Sequence, residues 1–243
     1  MKKNYKILLI VLVCLVIIIG AIYGRKSYER HKAYKEDAVF LLDFLEKNYP
    51  YFEVKKKVFN DDFLKDKHKF IDKITKSKND VEFWDNIQQT MLSLRNAHTH
   101  IVMEEVFLSQ IYDKEAISKC DYWRRLMKKH LYLPDIKLKY VEGKYIVIKS
   151  KNKEIPIGSI VTKINGQEIN EYIKSKKGKF FLSKDSKRNI FYSTWYEYYK
   201  INDSQDEVEV LYNGLKSNKK VKYNKINQEI ADFYYSNSKR SEE

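Results

Sequence analysis

Residues 155–173 read I-P-I-G-S-I-V-T-K-I-N-G-Q-E-I-N-E-Y-I. Alternation through Ile160, Thr162 and Ile164 predicts a strand, and Asn165-Gly166 is the strongest short signal for a two-residue hairpin turn. A short helix is expected from about Ile169. Upstream, Ile136–Val141 and Lys144–Ser150 flank Glu142-Gly143 as a hairpin. Downstream, Val208–Tyr212 and Lys219–Tyr223 flank Asn213-Gly214 as another. The second half of the chain therefore reads as mostly antiparallel β structure. Ser183–Tyr199 is aromatic and of mixed period, and we expect a helix there. The tail S-N-S-K-R-S-E-E is polar and expected to fray.

The first half reads as helices. One is expected near Asp37–Lys47, carrying Val39, Leu41, Leu42, Phe44 and Leu45 and ending before Pro50. A second spans about Asp61–Lys76, with Phe63, Leu64, Phe70, Ile71 and Ile74 on one face. A third opens on Asn79 as N-cap with Glu82 three residues on, the spacing of a capping box. Trp84, Ile87, Met91 and Leu94 then recur at steps of three and four, and the helix ends at Arg95-Asn96. This exit reads L-R-N-A-H-T-H-I (Leu94–Ile101), with His98 in the turn and Thr99–Val102 extended. One or two further helices fit between Glu104 and His130.

From Ile7 to Gly24 there is no charged residue. That length approaches the ~30 Å hydrocarbon core and exceeds a signal-peptide core, and no small-residue cleavage site follows. We expect an uncleaved signal-anchor, with the membrane a partner through residues 7–24. The short basic arm of Lys2, Lys3 and Lys6 would stay inside, giving a single-pass cell-membrane protein with an extracytoplasmic soluble part. Val13 before Cys14 does not fit a lipoprotein site. With Cys120 the only other cysteine, no intramolecular disulfide is expected.

The 243 residues carry 47 Lys+Arg against 33 Asp+Glu, a formal charge of +14. The lysines are interleaved with Glu and Asp along the chain and form no arginine-rich stripe, so nucleic acid is not an expected partner. No motif calls for a cofactor.

The order of these features resembles the C-terminal processing (tail-specific) serine peptidases, to which the tricorn core peptidase is related. That family has an anchor or signal, a small helical bundle ending in L-x-D-G-H-T, and then a strand like G-S-I-V-T-K-I-N-G (Gly158–Gly166). N-Y-P-Y-F (Asn48–Phe52) also looks like the family's first helix and its exit. The resemblance implies an α+β fold: an N-terminal transmembrane helix, a small helical bundle and a PDZ-like, mostly antiparallel β domain with one or two helices. The corresponding boundaries are a membrane anchor at 1–26, a helical domain at 27–133, a PDZ-like domain at 134–230 and a polar tail at 231–243. Gly158, Ile160, Asn165 and Gly166 carry the PDZ-like motif, more structural than ligand-binding. His98 takes the place of the general base.

Departures from the pattern matter equally. Asn96-Ala97 stand where the family has Asp-Gly. No glycine-rich loop with converging amides precedes Gly158, which weakens the case for capture of a peptide carboxylate. Ser183, Ser186 and Ser193 lack a nucleophile-like glycine setting, and a base without a nucleophile is not a catalyst. The family's serine lies in a glycine-rich segment beyond the PDZ-like part, and the chain stops at Glu243. We therefore expect a relative without the catalytic serine domain and inactive alone. Two alternatives stand beside it: an anchored adaptor that binds a peptide or protein, and a metal-dependent hydrolase using His98 and His100 with Glu104 or Glu105. A catalytic zinc needs three fixed ligands, and no spacing in the chain supplies them, so no metal is expected. The aromatic run Phe191–Tyr199 reads as packing contacts that could extend to a docking surface.

Overall fold

The computed structural model describes residues 2–96, 99, 114–175, 182–193, 195–196, 200–202 and 204–235. The chain forms two compact units, Met1–Ile87 and Gln88–Glu243.

In the first unit, helix α1 (Lys2–Asn48) is followed by α2 (Phe52–Phe59), a 3-10 turn (Phe63–Asp66) and α3 (Lys67–Thr75); α4 (Asp80–Ser93) begins here. The buried stripe of α1 is Tyr34, Ala38, Leu42 and Leu45, continued by Tyr49 just past its end, at steps of three and four. Tyr34 stacks on Phe83 of α4 at 4.1 Å, and Phe63 stacks on Phe70 at 4.8 Å. Phe44, also among the apolar residues of this helix, is 54% exposed. The helix expected over Asp61–Lys76 is split, because Asp62 accepts the Lys65 N–H and caps a 3-10 turn first. At the start of α4, the Asn79 side chain accepts the Glu82 N–H at 3.0 Å. The Glu82 carboxylate reaches back one residue further than in an ordinary capping box, to the Lys78 N–H.

The expected transmembrane helix is corrected here. Among the described residues no helix is long and apolar enough to cross a membrane. The apolar run is not an element of its own: α1 continues through Arg25, Lys26, Glu29 and Arg30 into the helical unit.

In the second unit, α5 (Lys114–His130) leads into ten strands among the described residues. These are β1 (Tyr132–Pro134), β2 (Ile136–Val141), β3 (Lys144–Ser150), β4 (Ile160–Ile164) and β5 (Gln167–Glu168), then, after α6 (Ile169–Ser175), β6 (Ser183–Asp185), β7 (Ile190–Tyr192), β8 (Trp195–Tyr196), β9 (Gln205–Tyr212) and β10 (Leu215–Lys225). Helix α7 (Gln228–Tyr235) follows. The main sheet runs β1-β10-β9-β4-β3-β2-β8, with β5 on β4, and its pairings are antiparallel. An isolated bridge between Tyr132 and Lys200 brings its two ends together, so the sheet is a nearly closed antiparallel barrel. Its core holds Leu138, Tyr145, Val147, Ile164 and Val210, with Ile169 and Ile173 of α6.

Three hairpins turn on Glu142-Gly143, Asn165-Gly166 and Asn213-Gly214, each with positive φ at both positions. At Gly166 (φ +78°) a Cβ would meet nothing within 4 Å. Its replacement by alanine therefore costs conformational energy only. We expect Gly166→Ala to lower stability by about 1–2 kcal/mol in urea titration, with no change in the folded far-UV spectrum.

Strand β4 corrects one sequence expectation. Its register against β9 shifts between Val161 and Lys163, and the inward residues are Val161 and Ile164, with Ile160 and Thr162 half-buried. A bulge at Thr162 adds one residue and breaks the simple alternation. The helix expected over Ser183–Tyr199 is also absent from its described part. Asp185 accepts the Arg188 N–H at 3.1 Å and Asn189 sits at φ +54°, which turns the chain back as the β6–β7 ribbon. The polar end forms α7 as far as Tyr235, capped by Asn227 accepting the Ile230 N–H. Its last carbonyls are met by lysines: Lys137 donates to Tyr234 O and Lys149 to Phe233 O, both at 2.8 Å.

Candidate functional site

His98, His100, Glu104 and Glu105 lie outside the described residues. The helix exit before them is described. Leu94 and Arg95 donate to carbonyls three residues back, tightening the last turn, and Arg95 rather than Asn96 takes the left-handed conformation (φ +51°). The Arg95 guanidinium lies 5.0 Å from the centre of the Phe191 ring. Among the described residues no group of three or more His, Cys, Asp or Glu could hold a metal ion.

The serines weighed from sequence are dispersed. Ser183 pairs with Tyr192 in the β6–β7 ribbon, and Ser186 sits in its turn. Ser193 is buried, its N–H donated to the Tyr145 hydroxyl at 2.9 Å. Burial pushes the Tyr145 phenol far above its ordinary value, so it stays protonated and holds this bond as acceptor.

Of the motif residues, Gly158 (φ +89°) donates its N–H to Val147 O, and Ile160 pairs with Ile146 and Leu211. Asn165 braces the barrel. Its side-chain amide donates to Asp206 Oδ1 at 2.9 Å, its carbonyl accepts the Glu207 N–H at 2.9 Å, and its own N–H donates to Glu207 O at 2.7 Å.

Asp206, which sequence reading missed, is the hub of this network. It is 5% exposed and accepts from Lys200 (2.8 Å), Asn165 (2.9 Å) and the Tyr223 hydroxyl (2.7 Å). Burial alone would raise its carboxyl, but the bonds from Lys200, Asn165 and Tyr223 win and hold it below the ordinary value. Lys200 also lies 4.0 Å from the centre of the Tyr223 ring. Because Lys200 carries the bridge to Tyr132, this network sits where the barrel closes.

One cavity is a cleft of about 930 Å³ between β10, the 151–154 loop and the start of α7. Asn152 ties the loop to β10 through Lys220 O at 2.8 Å and also donates to Asp135 Oδ2 at 3.2 Å. Asp135, on the cleft wall, is 7% exposed, and its Oδ1 has no hydrogen-bond partner among the described residues. Burial raises its carboxyl from 3.8 to about 6, against the pull of the Lys222 and Asp135 N–H groups, Asn152 and the Lys222 charge. The cleft's described lining is made of lysines, carboxylates, asparagines and Ile230, with no hydroxyl, thiol or imidazole. Sequence reading missed it, although the alternation N-K-K-V-K-Y-N-K (Asn218–Lys225) already separates a polar from an apolar face.

No family model and no curated protein matches the sequence. Among solved structures, the chain is similar to mature CPAF, a chlamydial tail-specific protease, complexed with lactacystin. That match has 10% identity and a TM-score of 0.49, and covers 80% of this chain and 35% of that one. A second structure of mature CPAF gives 10% identity and a TM-score of 0.44, covering 80% and 34%. The chain thus spans about a third of the length of these structures. Likeness at this level assigns no activity to it.

Proposed function

We propose that this chain is a non-catalytic relative of the C-terminal processing serine peptidases, whose barrel unit binds a protein or peptide partner. The order of its motifs supports the relationship: L-R-N-A-H-T at a helix exit, then I-V-T-K-I-N-G on β4 and its turn. One observation supports binding: the cleft of the barrel unit is lined by ammonium, carboxylate and amide groups. Such a surface recognises charge and main-chain groups.

The purified full chain, incubated with an unstructured casein-derived peptide mixture, should release no new amino termini, and His98→Ala should leave that result unchanged. Peptides from the same mixture should be retained saturably on the immobilised chain. Hydrolysis that His98→Ala abolishes would overturn the proposal, as would the lack of any saturable peptide binding.

A further inference from the structure

The outer face of β10 repeats every second residue: Asn218, Lys220, Lys222 and Asn224 point away from the core while Val221 and Tyr223 are buried in it. Residues Leu215–Lys222 pair with β9 on one side; on the other, β1 covers Tyr223–Lys225 and the Asp135 N–H is donated to Lys222 O at 2.8 Å. The earlier part of that edge faces the cleft, met by the Asn152 amide at Lys220 O.

Two of the cleft's acids are already engaged: Glu229 with Lys151 at 2.6 Å and Glu154 with Lys219 at 3.5 Å. Lys153, Lys220, Lys222 and Lys225 have no carboxylate within ion-pair distance among the described residues, which leaves a surplus of positive charge along one strand edge. Against this field stands Asp135, nine-tenths buried, with Oδ1 lacking a donor among the described residues. A phosphodiester or polyphosphate chain brings only more acceptors next to that carboxylate. A peptide main chain brings an N–H at each residue, and in extended form its alternate side chains recur about every 6.6–6.8 Å, the spacing of Lys220 and Lys222 on β10.

We propose that this cleft binds an extended acidic segment of a partner protein, its alternate carboxylates on Lys220 and Lys222. The proposal rests on the binding function above and names its ligand. The lysines are the selector, spaced on β10 as alternate side chains of an extended segment are.

The test is fluorescence anisotropy of the full chain with a labelled peptide of alternating Glu and Thr, its Gln-for-Glu twin, and polyphosphate of equal charge as competitor. We expect saturable binding of the acidic peptide and at least tenfold weaker binding of the twin. Joint Lys220→Gln and Lys222→Gln, both exposed positions, should weaken binding at least tenfold, while Lys184→Gln on the β6–β7 ribbon should not change it. A peptide with its glutamates in one block should bind several-fold less tightly than the alternating one. The proposal is overturned if the acidic peptide does not saturate, if the twin or the block peptide binds equally well, if the double variant binds like wild type, or if polyphosphate displaces the peptide at equal charge concentration. Failure of the acidic peptide alongside retained binding of other peptides removes only the ligand assignment. Hydrolysis dependent on His98 would remove the underlying function instead.

Discussion

Replacing Asp206 by alanine should lower the unfolding free energy of the barrel unit by about 3–5 kcal/mol, the cost of breaking a buried ion pair from one side. The Lys200 side chain is 15% exposed and would keep its charge without its partner, while the Asn165 amide and the Tyr223 hydroxyl would each lose an acceptor. Hydrogen exchange in urea, read at the β9 and β10 amides of the full chain, measures this locally, without contribution from the first unit. Combining Asp206→Leu with Lys200→Met should cost less than the two single losses added, because no unpaired charge then remains. The pH dependence has a definite sign. The folded carboxyl lies below its unfolded value of 3.8, so its stabilisation is fully present above that value and is lost as pH falls through the lower folded one. A loss under about 1 kcal/mol would show that the network contributes little to closure.

Asp135 carries the opposite sign. Its folded carboxyl titrates at about 6 and its unfolded one at 3.8, so between these values the folded chain holds a proton that the unfolded chain has released. Stability therefore falls as pH rises through that window, and above it the fold bears a buried charge at a cost of about 3 kcal/mol. Asp135→Asn keeps an acceptor for Asn152 but carries no charge. The variant should match wild type near pH 3.5 and exceed it by about 2–3 kcal/mol at pH 7, in paired urea titrations. Parallel pH curves for the two proteins would refute the assignment.

The local chemistry of the chain was readable where one residue type decides one conformation. Asn165-Gly166 and Asn213-Gly214 turn as hairpins because both positions of such a turn need positive φ, and Asn79 with Glu82 start α4 because a helix leaves its first N–H groups unmet. What could not be read depended on partners distant in sequence. Nothing near Asp206 marks it as buried, because Lys200, Asn165 and Tyr223 converge on it only when the sheet curls. The inward face of β4 was misplaced because Thr162 sits at a bulge defined by its pairing with β9. The aromatic run after Ser183 suggested a helix because the alternation of a three-residue strand is too short to register, and the turn chemistry of Asp185 and Asn189 was outweighed. The apolar N-terminus was read by length and charge alone, and neither shows that the helix continues beyond it. The cleft's alternating lysines stood in plain view, but an exposed lysine is ordinary until a wall is seen opposite it.

The bridge between Tyr132 and Lys200 has a kinetic meaning. The β2–β3 and β9–β10 hairpins close over two residues each and can form early, whereas this contact joins positions far apart in the sequence and bears a much larger loop-closure entropy. It is the seam of the barrel. Seam contacts of this kind form late, so weakening them should speed unfolding and leave folding nearly unchanged. The same line is where the native barrel would first part, giving Tyr132 and Lys200 amide exchange rates well above those of Val208 and Val210 at its centre.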